Sequence, residues 1–248
     1  MSITILASFA LAHSIVAFGS DELTIGDAAP VPQIEHWVRG TQPEFFAPGK
    51  TYVVEFWATW CGPCRTSMPH LSDLSEKYAD KGVVVVGISD EKLEVVSKFL
   101  GKDEWKEKAR YILATDPDRS THDAYMKAAA QGGIPTSFIV KDGKVQWIGH
   151  PMSMDGPLAE IVGGTWDMAA YKAKFEPQQA AARANMKRSA AIRKARESGD
   201  WDGLVTMLDE GIATAKGPAK TQIQLQKFNI LLMDANKPDA AYALGREL

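Results

Sequence analysis

Cys61 and Cys64 are the only cysteines of the chain, and they stand where a strand pattern gives way to a helix pattern. Tyr52-Val53-Val54-Glu55-Phe56-Trp57 is β-branched and aromatic, which reads as a buried strand. From Arg65 to Tyr78, the residues Met68, Leu71, Leu74, Ser75 and Tyr78 recur at helical spacing. The pair therefore falls in the first turn of a helix that a strand feeds. Such a turn presents unpaired N–H groups and the positive end of the helix dipole, which favour a thiolate over a thiol. Cys61 comes first and is expected to be the exposed nucleophile. Cys64, one turn on, shares its face and can attack a mixed disulfide on Cys61. Pro63 takes an early helical position that tolerates its missing N–H. A ring this small removes little loop entropy from the unfolded chain, so the pair is read as a redox couple and not as a staple.

Val54-Glu55-Phe56-Trp57-Ala58-Thr59-Trp60-Cys61-Gly62-Pro63-Cys64 resembles the active-site segment of the thioredoxin superfamily. Pro69, inside the following helix, resembles the proline that kinks it in that family. Gly133-Ile134-Pro135-Thr136, followed by Ser137-Phe138-Ile139-Val140, resembles the loop whose proline is cis and faces the cysteines. Lys141-Asp142-Gly143-Lys144 supplies a hairpin turn into the next strand, Val145 to Gly149. The likeness runs from Asp21 to Gly164 and implies an α/β thioredoxin-like fold, a central mixed sheet flanked by helices.

Two departures from plain thioredoxin refine it. Leu23 to Pro30, followed by Ile34 to Val38, resembles the lead-in hairpin of TlpA-like and redoxin-type proteins. The stretch from Ser89 to Gly133 is also longer than thioredoxin needs. After the apolar run Val83 to Ile88, it reads as a helix over Lys92 to Leu100, a strand over Arg110 to Ala114 and a helix over Thr121 to Ala130. An inserted βα segment here marks the TlpA-like branch. Its members are typically extracytoplasmic thiol–disulfide reductases.

The resemblance assigns further roles. Glu55 matches a buried acid beneath the cysteines that accepts the proton of the resolving thiol, with a reach one methylene longer than the usual aspartate; the alternative is a strand-end acid turned to solvent. Burial should raise its pKa and make it a usable base. Trp60, Gly62, Pro63, Ile134 and Pro135 are the expected substrate-binding residues. Trp60 would be an apolar platform, and a cis Pro135 would expose the backbone of Ile134 to an incoming peptide. Trp57 is expected to pack under the motif, while Thr136 is open between a substrate contact and a structural hydroxyl.

Other chemistries fit less well. A zinc site needs about four ligands, and the five histidines are scattered, with only His70 near the cysteines. No metal is expected, nor any cofactor beyond the Cys61–Cys64 pair. A peroxiredoxin-like peroxidase would carry threonine three residues before its reactive cysteine, where this chain has Ala58. A net charge of −3 gives no argument for nucleic acid.

Length and composition divide the chain. With 248 residues, 45% of them hydrophobic, it can bury one full core and part of another. Residues 1–19 form a mostly apolar segment, Ile3 to Phe18, ending in small residues at Ala17 and Gly19. It reads as a signal peptide lacking a charged start, as a membrane anchor shorter than the ~20 residues of a comfortable span, or as a simple N-terminal element. Residues 20–164 form the thioredoxin-like domain. From 165 to 248 alanine, lysine and arginine dominate and no strand pattern follows. Helices are expected to start at Thr165, again at Pro177, at Asp200, at Pro218 and at Lys237. Asp200 and Asp239 mark similar starts, suggesting tetratricopeptide-like hairpins that either pack on the first domain or belong to a longer array. The basic run from Lys172 to Arg196 reads as a solvated helix face.

Taken together, the residues and the resemblance point to a periplasmic or otherwise extracytoplasmic thiol–disulfide oxidoreductase. It would reduce disulfide-containing protein substrates and be recharged by an upstream thiol reductant, with a protein partner possible for the tail. A cytoplasmic location is the alternative. The competing function is an adaptor that binds partners through the tail and keeps a vestigial thioredoxin fold; intact Cys61 and Cys64 argue against it.

Overall fold

The computed structural model of the protein describes residues 22–246. The apolar segment read as a signal peptide lies outside them. Six strands form one mixed sheet: His36–Arg39 (β1), Thr51–Trp57 (β2), Val83–Ser89 (β3), Ile112–Thr115 (β4), Thr136–Lys141 (β5) and Lys144–Gly149 (β6). Their order across the sheet is β1-β4-β3-β2-β5-β6. The β2/β3 and β3/β4 pairs are parallel, and the other three pairs are antiparallel. Every residue of β2 is buried, as expected of a central strand covered on both faces. Asp142 and Gly143 both take positive φ in the β5–β6 turn, the geometry that matches hairpin twist.

Alternation along β2 sends Val53 and Trp57 to one face and Val54 and Phe56 to the other. The first face is covered by Gly62–Lys77 (α1), Leu93–Leu100 (α2), Asp103–Lys108 (α3) and Asp155–Gly163 (α5). Met68 and Leu71 of α1, Phe99 of α2, Trp105 of α3 and Leu158 of α5 meet there. The second face carries the segment that begins at Ser120–His122 (α4). The expected helix over 121–130 is only partly regular. After α4 the coil widens into a π turn over Asp123–Lys127, and Tyr125, Met126 and Ala129 all end in the second core.

The expected lead-in hairpin does not form. Residues 23–29 instead run along β6, with Gly26 N–H donating to Val145 O at 2.7 Å and Ala29 N–H to Gly143 O at 2.8 Å. The chain then crosses to the opposite edge, where β1 pairs with β4. Both edges need a partner, and one stretch serves both.

Among the described residues the tail holds four α-helices, Met168–Ser198 (α6), Trp201–Thr214 (α7), Gly217–Asn229 (α8) and Pro238–Gly245 (α9), with a π turn over Ile230–Asp234. Pro177 does not restart a helix; α6 runs through it for 31 residues, about 46 Å. Pro177 is exposed, so water can reach the carbonyl it leaves unpaired, and docked side chains hold the helix on both sides. Met168, Tyr171 and Phe175 join the second core, and Tyr171 Oη donates to Ile148 O at 2.7 Å. Further along, Ala195 meets Leu204, Leu208, Ile223 and Ile230 in a third, separate core. Asp200 caps α7 by accepting from Gly203 N–H at 3.0 Å. Asp239 does not repeat this, because α9 starts from Lys237 without a side-chain cap.

Candidate active site

The end of β2 leads through Thr59 and Trp60 to Cys61, which is the N-cap of α1. Cys61 and Cys64 are joined by a disulfide, so the structure is that of the oxidised couple. Cys64 N–H donates to Cys61 Sγ at 3.2 Å, a contact that would favour negative charge on that sulfur in the reduced protein. Pro63 lies in the first turn as expected and is exposed, while Gly62 is half-buried. Cys61 is less accessible than expected, at 4% exposed against 0% for Cys64. Trp60 beside it is 71% exposed, and the backbone of Ile134 approaches from the other side.

The Ile134–Pro135 bond is cis, and Ile134 O lies 3.7 Å from Cys61 Sγ. Pro135 itself is buried, so the backbone ahead of it and not its ring meets the groove. Thr136 Oγ1 donates to Gly133 O at 2.8 Å, which gives that hydroxyl a structural task in the loop. A groove of about 440 Å³ opens beside the cysteines. Trp60, Ile134, Phe56 and Met126 form its apolar wall, and Asp90, Arg119 and His122 form its polar end. Arg119 is held by Asp90 and contacts His122 Nδ1 at 2.9 Å. Burial, then the nearby Arg119 charge, lowers the His122 pKa. Trp57 packs under the motif as expected, fully inside the first core. Gly62 and Pro63 do not line the groove; they remain at the helix start.

Glu55 is fully buried on the β2 face that α1 covers, between Val53 and Trp57. Tyr111 Oη donates to its Oε2 at 3.3 Å, and Oε1 has no hydrogen-bond partner among the described residues. Desolvation pushes the carboxyl up to about 8, against a smaller lowering by the Tyr111 hydrogen bond. The group is thus poised to exchange a proton near neutral pH. Across the strand pair, Ser137 faces Glu55, and its buried hydroxyl is also unpartnered among the described residues.

Gly87 makes this possible. It pairs with Glu55 in β3, and a Cβ there would lie 2.8 Å from Leu113 Cδ2 and 2.9 Å from Glu55 Oε2. Gly87→Ala is expected to lower stability by about 1–3 kcal/mol through overpacking, despite the usual gain from removing a strand glycine. A urea midpoint equal to wild type would show that the carboxyl and Tyr111 have room to move.

Two site residues were not legible in the sequence. Glu91 accepts from Thr59 N–H at 2.6 Å and from Thr59 Oγ1 at 2.7 Å, fixing the turn that leads to Cys61. Its signal was the parallel register: Trp57 pairs with Ser89, so residues two further on, Thr59 and Glu91, emerge side by side. Tyr111 had no such signal, because its meeting with Glu55 needs β4 in place beside β3.

The Redoxin family model matches residues 42–156 of the chain. Protein FixW of Rhizobium leguminosarum is 26% identical over 210 residues, which cover 78% of this chain and 92% of that one. Thiol-disulfide oxidoreductase ResA of Oceanobacillus iheyensis is 31% identical over 189 residues, covering 72% and 88%. Among solved structures, a thiol:disulfide interchange protein of the thioredoxin family from Chlorobium tepidum is 28% identical, with a TM-score of 0.38 over 46% of this chain and 81% of that one. With a Cys-x-x-Cys couple at the start of α1 and a relative matched along most of its length, the chain belongs to the TlpA-like branch of the thioredoxin superfamily and is a thiol–disulfide oxidoreductase.

Proposed function

We propose that the chain works as a reductant of protein disulfides, with Cys61 attacking and Cys64 resolving. The Cys64 N–H aimed at Cys61 Sγ, which favours the thiolate on the first cysteine, carries the order of attack, and Gly62-Pro63 between the cysteines, which resembles the reductants of the family, supports the direction. The Cys61 thiolate attacks one sulfur of a client disulfide, forms a mixed disulfide and releases the first client thiolate. Cys64, deprotonated by Glu55, attacks the Cys61 sulfur and releases the second client thiol. Two electrons pass to the client, and the Cys61–Cys64 disulfide remains. An upstream thiol reductant restores the dithiol, with Glu55 returning a proton to Cys64 as it leaves. Trp60 and Ile134 flank the groove and suit an extended client chain carrying an apolar side chain beside its cystine.

An extracytoplasmic setting fits both the branch and the apolar start of the sequence. Among the described residues, no helix is long and apolar enough to cross a membrane. Contacts between successive helices α6 to α9 support a tetratricopeptide-like tail.

The test is catalysed reduction of insulin by dithiothreitol, followed as precipitation of the released B chain. The chain should accelerate it well beyond dithiothreitol alone. Precipitation at the uncatalysed rate would refute the reductase reading and favour the adaptor.

A further inference from the structure

Two side chains of α6, one turn apart, reach back to the segment that delivers the loop facing Cys61. Gln179 Nε2 donates to Leu23 O at 2.7 Å and to Ala129 O at 3.0 Å. Arg183 donates from Nη1 to Ala128 O at 2.9 Å and from Nη2 to Leu23 O at 3.1 Å. Leu23 N–H closes the cluster by donating to Ala128 O at 2.9 Å. Gln179 is only 5% exposed, so its amide is a buried polar group with both tasks assigned.

Leu23 O belongs to the stretch that runs along β6, whereas Ala128 O and Ala129 O belong to the last turn of the irregular helical segment, which ends where Ala130 turns to a φ of 54°. Carbonyls at a helix end have no partner within the helix, and a cation there also meets the negative end of the dipole. The tail supplies both. Immediately beyond come Gln131, Gly132, Gly133 and Ile134, the last with its carbonyl 3.7 Å from Cys61 Sγ. Gly132 and Gly133 are exposed, and a Cβ on either would meet nothing within 4 Å. Gly132 and Gly133 have little packing of their own, so the place of the loop over Cys61 depends on Ile134, which packs against both cores, and on the two anchored ends. One end is β5, with the Thr136 to Gly133 hydrogen bond. The other is the clamp from α6.

We propose that Gln179 and Arg183 are positioning residues for the thiol–disulfide reaction, through which the helical tail sets the height of the Ile134 loop above Cys61. The role touches client capture and leaves the cysteine chemistry alone. It rests on the reading that clients dock beside Ile134, and the test separates the two.

In the reduced full-length chain, the rate of Cys61 alkylation by iodoacetamide reads how closely the loop covers the sulfur. Gln179→Ala with Arg183→Ala should raise that rate severalfold. It should also lower kcat/KM for insulin by about tenfold, carried by KM, which is the size expected from losing a few hydrogen bonds to a charged donor. Arg183→Lys, which keeps the charge and one donor, should recover part of both losses. Arg193→Ala, exposed further along the same helix, should change neither. Should the double variant not fold, Gln179→Ala and Arg183→Lys alone carry the same two measurements. Wild-type alkylation rates in folded variants would overturn the proposal, whatever their melting temperatures. A chain inactive on insulin would refute the client reading, while alkylation would still decide the clamp.

Discussion

Replacing Cys61 with serine should abolish disulfide reduction, and replacing Cys64 with serine should leave a protein that captures clients and cannot release them. Both outcomes follow from the order of the two sulfurs along α1. Cys61 Sγ receives the Cys64 N–H and lies 3.7 Å from the carbonyl of Ile134, which lines the groove, whereas Cys64 is fully buried. Without Cys61 no thiolate reaches the client, and turnover falls to the rate of the external thiol alone. Without Cys64 the mixed disulfide forms and has no internal thiol to open it. Non-reducing electrophoresis should show adducts in Cys64→Ser that vanish on reduction. Adducts confined to Cys61→Ser would reverse the assignment.

Glu55→Gln should lower turnover at pH 7 by roughly 10²-fold, as general-base losses commonly run, while making the fold more stable. Glutamine keeps the shape and the Tyr111 contact but takes up no proton. Turnover should recover as pH rises and Cys64 ionises unaided. Stability has its own pH signature. The carboxyl has an ordinary value of 4.5 and titrates at about 8 in the folded protein. Between those values the native state holds a proton that the unfolded chain has released. Stability therefore falls as pH rises through that window, by at most ~1.4 kcal/mol per unit. Below it both states are protonated, above it neither is, and the contribution is flat on each side. Urea unfolding of wild type from pH 5 to 9 should show this slope, and Glu55→Gln should lose it. Equal turnover of the two proteins at pH 7 would remove Glu55 from the proton path.

What was legible in the sequence is what depends on neighbours along the chain. The strand into Trp57, the helix out of Cys61 and the Asp142-Gly143 turn are local patterns, and each appears where it was expected. The cis bond before Pro135 came through resemblance, on a motif that is also local. The missed features join distant residues. Residues 23–29 lie on β6 and not against β1, because the chain crosses between opposite edges. Thr59 meets Glu91, and Glu55 meets Tyr111, only once the strands stand in register. Pro177 failed as a helix break because tertiary docking outweighed a local preference.

The crossing of residues 23–39 also bears on how the sheet avoids pairing with other chains. An open sheet presents two bare rows of N–H and C=O groups, and each invites another chain to add a strand. Here a single ribbon occupies β6 at one side and β4 at the other, leaving as the new border the four-residue β1, too short to be a good template. Gatekeeping of both borders is therefore shared by one piece of backbone. A protease nick near residues 30–35 would loosen both guards together, and the expected product is not a slightly weakened monomer but chains that stack edge to edge.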